Sequence, residues 1–299
     1  MLKVRIKNKG ELLLILTTII WGTTFAISKT ALDSLGPYGL IATRFTMATV
    51  VGILFFWKSL IKINRTEILG GGVLGLFLTG GFLFQIVGLQ YTTASKAAFL
   101  TGLAVVFVPF FEKISGSIIQ GKTKVAVILA VVGTAMLSFE SGQGYFLGLG
   151  DFLVLMCAVC FGGYIFVLEK VANKGNTYCF TVVQISVTAI ITWILTLFFE
   201  GIPRLTDGRL VIEILYLALF ATILSTVLQT TGQKTVNAQR AAVIFTLEPV
   251  FGAMFAFFVI HERFTTIQVF GSLVILGAIL YNETNGFRNM RKTESLKSK

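Results

Sequence analysis

The 299-residue chain is 55% hydrophobic and only 13% charged, with a mean hydropathy of +0.84; soluble domains carry about 25% charged residues, so an ordinary soluble globular protein is excluded. Its formal charge of +11 is spread in short basic clusters between apolar runs, with no aromatic-interleaved basic patch, and reads as a topology signal rather than a nucleic-acid surface. Three cysteines give no disulfide framework, and the single histidine, His261, excludes an H-E-x-x-H zinc motif.

Ten apolar runs follow one another, most of them near the roughly 20 residues that cross a bilayer. The first, 11–31, comes after a basic start and continues past Trp21 and Phe25 without a small-residue cleavage site, so it reads as a retained helix and not a signal peptide. Lys29 lies near its end, where a long side chain either snorkels to the interface or faces inward as a fixed positive charge. The second run, 38–57, carries Arg44 deeper within, open between interhelix hydrogen bonding and a cavity role. The third, 68–89, holds the packing motif Gly71-x-x-x-Gly75 together with Phe82 and Gln85. The fourth, 96–119, opens on Lys96, contains Pro109, and carries Glu112 and Lys113, which project about 100° apart and cannot pair with each other.

A fifth run at 124–139 leads to the sixth, 148–169. There Cys157 and Cys160 read as helix-packing residues, and Tyr164 lies beside Gly162-Gly163. The seventh, 178–199, and eighth, 211–232, contribute Gln184 and Gln229. The ninth, 239–260, opens on Arg240 and sets Glu248-Pro249 inside an otherwise apolar stretch; the tenth is 266–282. An intramembrane ionisable group costs roughly 2.5–3.5 kcal/mol on insertion scales, so Glu248 needs a partner or a cavity. Pro249 removes a backbone donor and is expected to kink its helix, leaving freed carbonyls that Glu248 helps to satisfy, with a polar side chain such as Arg44 as a partner. Whether Glu248 is architectural or takes part in recognition is open from sequence.

With the N-terminus inside, most of the 25 basic residues fall on cytoplasmic segments, from Lys3, Arg5, Lys7 and Lys9 to the tail between Arg288 and Lys299. Ten spans with both termini cytoplasmic is the consistent count. The segment GLQYTTASKAAFL from Gly88 aligns with GQKTVNAQRAAVI from Gly232, 144 positions on, pairing Gln85 with Gln229 and Lys96 with Arg240. Two five-helix repeats, 1–144 and 145–299, follow, and an odd number of helices inverts the second relative to the first. Inverted repeats with a site at their interface are a recurring plan of secondary transporters.

The chain resembles the drug/metabolite transporter superfamily, EamA type. The residues that carry the resemblance are WGTTFAISK from Trp21, RFTMA from Arg44, ASKAAFLTGLAVVFVPFFE from Ala94 and AQRAAVIFTLEPVFGAMFAFFVIHERFT from Ala238. The first repeat lacks a counterpart of the Glu262-Arg263 pair that ends this last segment, and its Pro109 stands four residues later than the repeat offset predicts. The resemblance implies an all-α integral membrane protein that moves amino acids, metabolites or drugs, driven by an ion gradient or exchange.

The expected function is therefore an alternating-access carrier of a small organic molecule in the cytoplasmic membrane, in the export direction, with a channel, a membrane-embedded enzyme or a lipid flippase of the same fold as the alternatives. Cavity candidates are Trp21, Lys29, Arg44, Phe82, Gln85, Tyr164, Gln229 and Glu248; gate or rim candidates are Lys96 and Arg240; kink candidates are Pro109 and Pro249. No catalytic residue, metal site or cofactor fingerprint is read. The expected partners are a small-molecule substrate, membrane lipid and protons, with no nucleic acid; the oligomeric state is open, a monomer being compatible with the sequence.

Overall fold

The computed structural model describes residues 9–116, 121–137, 148–205, 207–260, 265–279 and 281. Among these residues the regular structure is helical throughout. The helices are α1 (Lys9–Gly22), α2 (Thr24–Ala31), α3 (Pro37–Leu60), α4 (Arg65–Gln90), α5 (Ala94–Gly102), α6 (Ala104–Ile114), α7 (Gly121–Leu137), α8 (Leu149–Val171), α9 (Thr177–Phe199), α10 (Gly208–Ala218), α11 (Ser225–Gly232), α12 (Ala238–Phe245), α13 (Glu248–Ile260) and α14 (Thr266–Ile279). A π segment, Leu219–Leu224, joins α10 to α11.

Several helices are consecutive pieces of one rod. Among the described residues, seven rods are long and apolar enough to cross a bilayer: Lys9–Ala31, Pro37–Leu60, Arg65–Gln90, Lys96–Ile114, Leu149–Lys174, Thr177–Phe199 and Gly208–Gly232. The runs at 124–139, 239–260 and 266–282 fall on α7, the α12–α13 pair and α14, which are shorter or broken. The basic residues Lys3, Arg5 and Lys7, the tail from Arg288 to Lys299, and His261-Glu262-Arg263 lie outside the described residues.

Local chemistry fixes the helix starts. Asn64 and Glu67 form a reciprocal capping box at α4. Pro37 occupies the first turn of α3, where its missing N–H costs nothing, and the Glu200 carboxylate accepts from Tyr38 N and Gly39 N at 3.0 and 2.7 Å. Thr93 and Asn237, which are repeat-related, cap α5 and α12: Thr93 Oγ1 accepts from Lys96 N at 3.2 Å and Asn237 Oδ1 from Arg240 N at 2.9 Å.

The two halves of the chain interleave. α3 packs along α9, α4 lies against both α8 and α9, and α1 lies on α11 and α13. Glycines set the closest approaches. A Cβ on Gly71 or Gly75 would come within 2.7 Å of Val183 Cβ or Val187 Cβ, so the small-residue motif receives the two valines of α9. A Cβ on Gly22 would stand 2.7 Å from Gly252 N. Several buried threonines bond to their own helices, as when Thr192 and Thr196 donate to the carbonyls of Thr188 and Thr192 at 2.7 Å. The outer surface is apolar, with Phe198 81% exposed and Phe55 and Phe199 beside it in kind, as a lipid-facing surface requires.

One pair of breaks in the rods follows the repeat and not the prolines. α5 ends at Gly102 and α6 starts at Ala104; α12 ends at Phe245 and α13 starts at Glu248. Leu103 and Leu247, the residues at the two breaks, are 144 positions apart. Pro249 sits in the first turn of α13, just past its break, whereas Pro109 lies inside α6, downstream of the discontinuity. The kink expected at Pro109 is thus not where this rod breaks; the break falls at Leu103, equivalent to Leu247 in the second half.

Candidate functional site

Where α2, α3, α4, the α5–α6 break, α8, the π segment and the α12–α13 break converge, they enclose a cavity of about 800 Å³, counting the part open to solvent. Trp21, Arg44, Phe82, Gln85, Tyr164, Gln229 and Glu248 all line it. Lys29 does not. Its Nζ donates to the carbonyls of Leu89 and Thr92 at 2.5 and 3.1 Å, which ties α2 to the end of α4 and satisfies carbonyls that a helix terminus leaves open.

Arg44 is buried and held from α10–α11. Its Nε donates to Thr222 Oγ1 at 2.7 Å and its Nη2 to the Ala221 carbonyl at 3.1 Å. The π segment makes this possible, because Thr222 Oγ1 donates five residues back to Leu217 O at 2.9 Å, a spacing the α-helix does not offer. The guanidinium also stands 4.6 Å from the Phe82 ring centroid and 5.5 Å from that of Phe45. Phe82 in turn meets Phe161 edge-on at 5.6 Å, and Trp21 meets Phe245 at 5.4 Å, so one face of the cavity is an aromatic wall.

Glu248 is not the partner of Arg44. Among the described residues its carboxyl group makes no hydrogen bond or ion pair, although it is half-buried and lines the cavity. The Arg44–Glu248 pairing expected from sequence is corrected: each needs a partner in an apolar setting, but Arg44 finds oxygens in the widened turn of the π segment. The carboxylate is one-sided in a second sense. Its repeat counterpart, 144 positions earlier, is Ala104, which also lines the cavity.

The remaining polar groups are tied to neighbours. Gln85 Nε2 donates to Thr101 Oγ1 at 3.3 Å, and Gln229 Nε2 to Gln233 Oε1 at 3.3 Å. Tyr164 directs its hydroxyl to Gln184 Oε1 on α9 at 2.8 Å. Lys96 and Arg240 lie away from the cavity; Arg240 Nη2 pairs with Glu11 Oε1 at 2.6 Å. The cavity residues that sequence reasoning passed over are chiefly Phe45, Thr101, Thr222 and Thr226. Threonine in an apolar run carries no signal by itself, and the π segment has none in the spacing. Among the described residues no group of three or more His, Cys, Asp or Glu side chains is placed to hold a metal ion.

Residues 8–139 and 148–283 each match the model of the EamA-like transporter family. The chain belongs to this family. Its relatives in the EamA-like group are transporters by name, not enzymes. An "uncharacterized transporter" of Archaeoglobus fulgidus is 33% identical over 272 residues, 91% of this chain and 84% of that protein. A "probable amino-acid metabolite efflux pump" of Salmonella typhimurium is 27% identical over 302 residues, covering 95% and 97%. An "S-adenosylmethionine/S-adenosylhomocysteine transporter" of Chlamydia muridarum is 26% identical over 205 residues, 64% of this chain and 63% of that one. A solved crystal structure shares the fold of this EamA-like chain, with a TM-score of 0.77 and 17% identity over 93% of this chain and 98% of the other.

Proposed function

We propose that this EamA-like protein is an alternating-access secondary transporter that exports a small organic metabolite across the cytoplasmic membrane, by proton coupling or exchange. The observation that carries the reading is a cavity walled by both halves of the chain, with one carboxyl group, Glu248, that has no partner among the described residues. Two inverted five-helix repeats, 1–144 and 145–299, make ten spans with both termini cytoplasmic. The two family matches, the repeat-related caps and the repeat-related helix breaks support that plan, and the placement of basic residues supports its orientation.

The aromatic wall suits a substrate with an apolar or aromatic body, and Arg44 and Glu248 supply charge to orient it; Trp21, Phe82, Gln85, Tyr164 and Gln229 complete the contact surface. Amino acids and their metabolites, aromatic compounds and drug-like molecules fit this chemistry, and the names of the Salmonella and Chlamydia relatives support a metabolite of that size.

The test is counterflow of radiolabelled amino acids and aromatic amines in proteoliposomes preloaded with a panel of the same compounds. Saturable trans-stimulated flux is expected. Unsaturable ohmic current, or product formation without flux, overturns the reading. Glu248→Gln separates the two energy sources: under proton coupling it keeps counterflow and loses the response to an imposed pH gradient, whereas a wild type indifferent to that gradient leaves exchange alone.

A further inference from the structure

Glu11 and Asp151 line no part of the cavity, yet both are only 5% exposed and stand in the first turns of α1 and α8. The packing around them makes them equivalent. A Cβ on Gly10 would press on Thr235 and on the Gly232 carbonyl; a Cβ on Gly150 would press on Tyr91 and on the Gly88 carbonyl. Gly88 and Gly232 are repeat-related, as are Tyr91 and Thr235. Each acidic residue is therefore seated beside the turn that leads to a cation of the opposite half: Glu11 beside the turn to Arg240, and Asp151 beside the turn to Lys96.

The two seats are used differently. At one, Arg240 Nη2 and Glu11 Oε1 are 2.6 Å apart, with side chains 25% and 7% exposed, so the pair is largely withdrawn from water. At the other, Asp151 accepts from Thr92 Oγ1 at 2.5 Å and from Gly148 N at 3.1 Å, and among the described residues Lys96 makes no ion pair. One end of the bundle is fastened by opposite charges, and the equivalent charges at the other end stand apart.

We propose that Glu11–Arg240 and Asp151–Lys96 are alternate latches, one for each face of the membrane, and that this structure holds the first closed and the second released. Parting α1 from α12 breaks the Glu11–Arg240 pair, and a shielded pair that loses its partner leaves an uncompensated charge. Closing Asp151 on Lys96 at the opposite end offsets that cost, so that neither conformation becomes a trap. Glu11 and Asp151 are positioning residues that act on cavity access and not on the substrate. The proposal rests on the alternating-access reading.

The experiment uses Thr24→Cys as a reporter on the cavity wall, in a chain carrying Cys157→Ala, Cys160→Ala and Cys179→Ala. A membrane-impermeant maleimide is applied to right-side-out and to inverted vesicles. Glu11→Gln and Arg240→Gln are expected to raise labelling from the face at the Glu11 end about tenfold, a bias of about 1.4 kcal/mol, and to lower it from the other face. Exchanging the charges, Glu11→Arg with Arg240→Glu, restores the original rates. Lys96→Gln and Asp151→Asn shift labelling in the reverse direction, and they report independently if the Glu11 variants do not fold. Equal changes at both faces, unchanged rates, or a reverse pair that shifts the same way as the first would overturn the proposal. Failure of the carrier reading is seen separately, as absent counterflow while the labelling asymmetry persists.

Discussion

Replacing Thr222 with valine tests the central polar contact of the cavity. The substitution is nearly isosteric, so it opens no void; it removes the oxygen that accepts from Arg44 Nε at 2.7 Å and donates to Leu217 O. A hydrogen bond to a charged group contributes about 1.5–3 kcal/mol in general, and interhelix bonds in membrane proteins average about 0.6 with a maximum near 1.7. The guanidinium keeps the Ala221 carbonyl and the Phe82 face, so the expected loss is about 1.5 kcal/mol. The assay is reversible unfolding in mixed detergent–SDS micelles, read by tryptophan fluorescence, for the wild type, Thr222→Val, Arg44→Met and the double variant. Thr222→Val should cost about 1 kcal/mol less when Arg44 is already methionine. The same cost in both backgrounds would refute the account, because Thr222 would then be serving only its own helix.

Gly22→Ala forces a methyl group against the Gly252 backbone and should destabilise by about 1–3 kcal/mol, whereas Gly72→Ala, with no neighbour within 4 Å, should be neutral or stabilising by up to about 1 kcal/mol; the same unfolding assay compares them. Glu200→Ala removes the acceptor for two N–H groups at the start of α3 and should cost about 1 kcal/mol, read as a lower melting temperature in detergent.

What could be read from the sequence was set by local chemistry and by composition. The long apolar rods, the cap residues Thr93 and Asn237 and the glycine seats for Val183 and Val187 all leave marks in residue type or spacing. What could not be read depends on partners distant in the chain. Lys29 turned to the end of α4 because two carbonyls there lacked donors, which no feature of its own helix announces. Arg44 found the π segment rather than Glu248, since a widened turn depends on which side chain comes to fill it. The break at Leu103, with Pro109 lying inside the helix that follows, shows that a proline in an apolar run does not by itself mark where a rod bends. Glu11 and Asp151 lie at the edges of apolar runs, where an acidic residue is too ordinary to attract notice before its neighbours are known.

The mismatch between Glu248 and Ala104 has a consequence for energetics. Two identical halves related by inversion would give inward-facing and outward-facing forms of equal free energy. If this protein is the inverted-repeat carrier proposed above, a carboxyl group on one wall, answered by a methyl group on the other, lifts that degeneracy. An empty carrier built this way rests mainly in one form, and a ligand reverses the balance only through tighter binding to the minor form, by about 10⁴-fold for a swing from 1:99 to 99:1. On the carrier reading proposed above, the Glu248–Ala104 mismatch is thus one of the differences between the two halves that set the form in which the empty molecule idles.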